Sequence, residues 1–256
     1  MPRLVAFLLL LLLPAPLLLG EDKAGTVVDH EIPPAGKKDP TIVYATYRAT
    51  SAKADAKLPL ILALHAGTKD ARQFASFLMP VAEAQGALLV SAQAFREVVG
   101  AEGYWWKGDA EEEAMLDRLL DHVKKTLPVD EARVSVIGLA DGAELAIKWA
   151  IEKDRGLKGV IAVNCLWKPP GTPKAPKTLK FCLIASKDRK DHMVSVVEQL
   201  QKAQSLLNKA RYRTVLRIGS GDGTFFHGWE KEVAKALSWF DGKLDWPKEI
   251  EEEQGK

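Results

Sequence analysis

The stretch richest in chemical implication runs from Arg133 to Ala146. A β-branched and aliphatic segment passes through Gly138-Leu139-Ala140-Asp141-Gly142 into residues of helical period. Glycines two positions either side of a central residue let a strand and a helix pack closely around a strained turn. Such a turn thrusts the central side chain forward, which is the geometry of a nucleophile elbow. In that device the central residue supplies the attacking atom. Here it is Ala140, whose methyl group has no lone pair and no proton to give up. Asp141 is the neighbouring oxygen nucleophile, but centring the turn on it would put Leu139 and Ala143 at the two close-packing positions. As a carboxylate in the first turn of a helix it also suits the helix dipole and merely caps.

Other polar residues fall in loops. His227 follows the glycine-rich Ile218-Gly219-Ser220-Gly221-Asp222-Gly223, a placement that favours function over core packing. Asp188, and less directly Asp191, follow an aliphatic run ending at Ser186. His65 ends another such run and could face a pocket. His30, His122 and His192 show no metal-ligand spacing, so no metal site is expected, and no cofactor. Glu111-Glu112-Glu113 reads as negative charge enriching the first turn of a helix.

The elements that must position these residues alternate in type. Short aliphatic runs bounded by turn residues alternate with longer stretches of helical period, the pattern of βα units around a mainly parallel sheet. Residues 26–32 and 42–48 predict an antiparallel opening pair. Further strands are expected at 58–64, 87–91, 133–138, 159–163, 180–186 and 212–218, and helices at 71–85, 111–126, 142–153, 192–210 and 231–240. The expected class is α/β, an about eight-stranded, mostly parallel sheet with helices on both faces. Residues 167–180 carry four prolines and four lysines and read as an exposed excursion between strands.

With its elbow in this setting, the chain resembles the α/β-hydrolase family, in particular its small secreted esterases of the phospholipase/carboxylesterase and polyhydroxybutyrate-depolymerase-like type. The resemblance spans roughly residues 59–240. Leu60-Ile61-Leu62-Ala63-Leu64-His65-Ala66-Gly67 matches the strand that ends in His-Gly-Gly, with Ala66 in place of a glycine. The resemblance implies an oxyanion-hole N–H from the loop at Gly67 and Thr68. Ala185-Ser186-Lys187-Asp188 matches the strand end bearing the triad acid, Asp188, and Phe226-His227-Gly228-Trp229 matches the triad base, His227. The order of nucleophile, acid and base is the family's. Tyr104-Trp105-Trp106 stands where the family often lines an acyl or aryl pocket, while aromatics there serve equally as core plugs.

In such a triad the histidine takes the proton of the serine hydroxyl, the acid orients the imidazole, and backbone N–H groups stabilise the oxyanion. Loss of the serine alone costs about 10⁶ in turnover in a protease series. Two readings follow. One is a catalytically silent descendant of a serine esterase whose pocket binds a small ester, acyl or aromatic ligand. The other is an active ester hydrolase that uses Asp141 or a His227-activated water.

Composition narrows the partners. Among 256 residues, 36 basic and 34 acidic side chains give a formal charge of +2, too balanced for a binder of nucleic acid. Arg3, the leucine-rich run Leu4 to Leu13 and the break at Pro14-Ala15-Pro16 read as a secretory signal peptide over 1–20, leaving 21–256 as a single domain. The apolar run falls short of the roughly 20 residues needed to span a bilayer, so a secreted or periplasmic protein without a stable membrane anchor is expected. Two cysteines build no disulfide framework, and the spacing of Cys165 and Cys182 on adjoining strands predicts two buried thiols.

Overall fold

The computed structural model describes residues 24–37, 39–100, 102–166, 173–191, 194–221 and 228–247. The expected leader, His192, His227 and the polar tail from 248 lie outside the described residues, as does part of the proline- and lysine-rich excursion.

The chain opens with β1 (Val27–Ile32) and β2 (Ile42–Arg48), which pair antiparallel with Val27 opposite Tyr47. Then come β3 (Leu58–Leu64), α1 (Ala71–Gln85), β4 (Leu88–Ala92), β5 (Arg96–Glu97), β6 (Tyr104–Trp105) and α2 (Ala110–Thr126). Next are β7 (Val129–Leu139), α3 (Asp141–Glu152), β8 (Leu157–Val163) and β9 (Lys180–Ser186). The chain continues through β10 (Lys190–Asp191), β11 (Val194–Ser195), α4 (Val196–Lys209), β12 (Arg213–Gly219) and α5 (Trp229–Phe240).

Eight strands form one sheet in the order β1-β2-β4-β3-β7-β8-β9-β12. Only the contacts of β2 with β1 and β4 are antiparallel; from β4 to β12 every pairing is parallel. Strand alternation divides the core into two layers. Leu60, Leu62 and Leu64 of β3 pack with the apolar stripes of α2, α3 and α4 on one face, while Ile61 and Ala63 pack with α1 and α5 on the other. The central strands are therefore apolar along the stretches buried on both faces, as Leu60–Leu64 and Val160–Val163 show.

The two cysteines fall on opposite faces: Cys165 belongs to the core under α3 and α4, Cys182 to the core under α5. Cys182 pairs in register with Ile161, four residues before Cys165, and no disulfide joins the two.

The structure departs from the sequence reading in three places. β7 starts at Val129, four residues before the expected strand, because Val129 pairs with Leu58 beyond a register irregularity. The helix expected from 192 starts at Val196, where the Ser195 hydroxyl accepts from Glu198 N–H; Val194–Ser195 instead pair with Lys190–Asp191 as the ribbon β10–β11. A second ribbon, β5–β6, pairs Arg96 with Trp105 and Glu97 with Tyr104 and carries the aromatic motif. No helix among the described residues is long and apolar enough to cross a membrane.

Candidate functional site

The parallel strands β3, β7, β8 and β9 all end on one edge of the sheet, and the loops there hold Gly67, Thr68, Ala140 and Asp188. Ala140 links β7 to α3 with φ 51° and ψ −117°, a backbone conformation that L-residues other than glycine rarely adopt. Its N–H donates to the Val163 carbonyl at 2.9 Å. The glycines on either side fix the crossing. A Cβ on Gly138 would lie 2.5 Å from Ala143 Cα, and one on Gly142 would lie 2.5 Å from the Leu64 carbonyl oxygen. The close approach thus brackets Ala140 and not Asp141, and the methyl stands at the apex of the turn.

The loop after β3 is tightly tied. His65 is fully buried; its Nδ1 pairs with the Ala66 carbonyl at 2.8 Å, and its Nε2 accepts from Ala94 N–H at 3.1 Å. Burial pushes the imidazole pKa down. The ring is therefore a neutral brace, the role that the family resemblance implies for it. Gly67 N–H donates to Asp141 Oδ1 at 2.7 Å, and Thr68 N–H donates to the Tyr104 carbonyl at 3.0 Å. Both amides expected to serve an oxyanion hole are consequently engaged within the chain. Thr68 itself sits at φ 65°, and Gly103 of the adjoining hairpin passes so near that a Cβ there would lie 2.5 Å from the Thr68 carbonyl carbon.

Consecutive aromatics part company at the ribbon. Trp106 is 3% exposed and Trp105 39% exposed. Trp106 N–H donates to Asp141 Oδ2 at 2.8 Å, and its indole Nε1–H donates to the His65 carbonyl at 2.9 Å. Glu112 lies in the first turn of α2 as expected, but it is fully buried, and its carboxylate accepts from Lys107 N–H at 3.1 Å and Gly108 N–H at 2.6 Å. Burial raises its pKa against those two hydrogen bonds. Three successive amides, at 106, 107 and 108, thus end on two carboxylates. Glutamate at a helix start gave no sequence signal of this role.

Beyond the elbow, Asn164 follows β8 at φ 49° and Ser186 ends β9; both are buried. Asn164 Oδ1 accepts from Ser186 N–H at 2.8 Å, and its Nδ2 donates to Ser186 Oγ at 3.2 Å. The sequence reading did not single out this pair. Asp188 is exposed in the next turn, and its N–H donates to the Gly221 carbonyl at 3.0 Å while Lys187 N–H donates to that of Gly219. The loop carrying Asp188 is thereby fastened to the segment that leads toward His227.

A cleft of about 360 Å³ opens beside the elbow, walled by Trp106, Asp141, Glu144, Leu145, Lys148 and Leu166. Its charged walls already have partners. Glu144 accepts from Leu166 N–H at 3.1 Å, and Lys148 Nζ meets the Gly108 carbonyl at 2.6 Å and Glu113 at 2.7 Å.

No family description and no curated protein sequence matches the chain. Solved structures do. A carboxylesterase of Bacillus cereus superposes with a TM-score of 0.60 at 20% identity, covering 78% of this chain and 94% of that one. A hyperthermophilic esterase from the archaeon Pyrobaculum calidifontis gives 0.62 at 14% identity, covering 86% and 87%. A ferulic acid esterase gives 0.62 at 14% identity, covering 84% and 97%. At such identities the likeness speaks for architecture and not for chemistry. Sheet order, elbow and neighbours together establish that this chain has the α/β-hydrolase fold.

Proposed function

We propose that this chain is an exported descendant of serine ester hydrolases that has lost nucleophilic catalysis and binds a small, uncharged ester, acyl or aromatic ligand in the cleft beside its elbow. The observation that carries this reading is the methyl of Ala140 at the apex of a turn held in the conformation of a nucleophile elbow. Export rests on the leucine-rich stretch at the N-terminus. The choice of an uncharged ligand rests on the cleft walls: Lys107, Asp141, Glu144 and Lys148 are already held by protein partners, which leaves Trp106, Leu145 and Leu166 as the surface on offer. Asp141 does not suit the part of substitute nucleophile, since both of its oxygens already accept strong hydrogen bonds from backbone amides.

The test is turnover of short- and medium-chain aryl esters by the native protein and by Ala140→Ser. Silence of the native protein and measurable hydrolysis by the variant are expected. Native turnover that survives repurification removes this reading and favours a water activated by His227.

A further inference from the structure

Asp141 joins three separate parts of the site. Its Oδ1 accepts from Gly67 N–H at 2.7 Å and its Oδ2 from Trp106 N–H at 2.8 Å, across 74 and 35 residues of chain respectively. The two amides are aimed by structure that does not involve Asp141. Thr68 N–H is bonded to the Tyr104 carbonyl and Tyr104 N–H to the Lys69 carbonyl, which zips the loop after β3 to the ribbon. The indole of Trp106 is anchored on the His65 carbonyl, and the next two amides on Glu112. A pair of pre-aimed backbone N–H groups is an anion site. The resemblance gives the loop at Gly67 the part of oxyanion donor, so an oxyanion or a carboxylate product would compete with Asp141 for Gly67 N–H.

We propose that the Asp141 carboxylate is the resident anion of a site formed by Gly67 N–H and Trp106 N–H, so that an acyl oxyanion or a free carboxylate enters only when Asp141 is removed. The inference rests on the reading of the elbow given above, and it adds a second block to acyl transfer beside the missing hydroxyl. One amide cannot serve two strong acceptors at once, because each needs the hydrogen along its own line. Removal of one oxyanion donor costs about 10²–10³ in turnover.

Sodium acetate is the probe, read through the amide resonances of Gly67 and Trp106. In the native protein these two resonances stay unmoved by acetate. In Asp141→Ala they shift together and saturate, and acetate raises the melting temperature of the variant. Asp141→Asn, with one carbonyl acceptor in place of two, keeps the loops tied if the alanine variant fails to fold; there acetate is expected to move one of the two amides. Native amides that respond as strongly as the variants', or folded variants whose amides ignore acetate, overturn the proposal. A second arm compares Ala140→Ser with Ala140→Ser/Asp141→Ala on aryl esters, where a gain of about 10²-fold from the second change is expected and equal rates count against it. The acetate titration involves no turnover, so it fails separately from the esterase ancestry.

Discussion

A methyl group built on Gly142 would stand 2.5 Å from the carbonyl oxygen of Leu64. The obstacle is the backbone of a central strand, which has no rotamer to escape into. Gly142→Ala is therefore expected to destabilise the fold at the upper end of overpacking costs, about 3 kcal/mol, or a fall of roughly 6–12 °C in Tm for a domain of this size. Gly108, at φ 71° with open space where a Cβ would go, is the control: its alanine variant meets only the left-handed backbone penalty of about 1–2 kcal/mol. Thermal melts of the two variants check the difference, and equal losses would mean that the crossing is looser than described.

Ala140 holds a strained backbone conformation. An L-residue in a sparsely populated region costs about 1–3 kcal/mol, and conversion to glycine returns about 0.4–1 kcal/mol of that through a more flexible unfolded chain. Ala140→Gly is expected to raise stability by about 1 kcal/mol, read by denaturant unfolding. A loss of stability would place the strain elsewhere.

Glu112 makes stability depend on pH. Burial raises its carboxyl pKa, helped by the nearby Asp109 and opposed by Lys107 N–H, Gly108 N–H and Arg96. The folded protein thus binds this proton more tightly than the unfolded chain does. The associated stability is fully present below the ordinary glutamate pKa and is lost as pH rises through the raised value. Compared with Glu112→Gln, the native protein should have its greatest advantage in Tm below the ordinary glutamate pKa of about 4.3, and lose that advantage on going toward neutrality. An advantage that grows with pH would contradict the burial described for this side chain.

Cys165 and Cys182 should titrate as two thiols once the protein is unfolded without reductant, since a whole sheet separates them. In the folded state Cys182 should resist thiol reagents, because complete burial pushes its pKa far up and leaves no thiolate to react. A denatured sample lacking thiols would show that the two faces of the sheet come apart and rejoin during folding.

Much of the architecture was legible because buried parallel strands are written as continuous aliphatic runs; Leu58–Leu64, Lys180–Ser186 and the helix Ala71–Gln85 lie where the sequence puts them. The elbow was legible too, since two glycines four apart have a steric reason to be there. What escaped was held together by distant partners. The start of β7 contains the exposed Glu131, and its pairing depends on Leu58 far upstream. The ribbons are two residues per strand, too short for any periodicity. Asp141 looked like a helix-start carboxylate, and only folding brings Gly67 and Trp106 to it. Glu112 likewise reads as no more than first-turn negative charge until the loop at Lys107 wraps over it.

The shape of the bend at Ala140 is set by collisions that its neighbours avoid, and the side chain at the tip takes no part in them. The identity of the tip residue and the integrity of the architecture are therefore separable traits. A lineage can exchange that one residue, and exchange it back, without passing through an unfolded intermediate, because the bend itself is held by other residues.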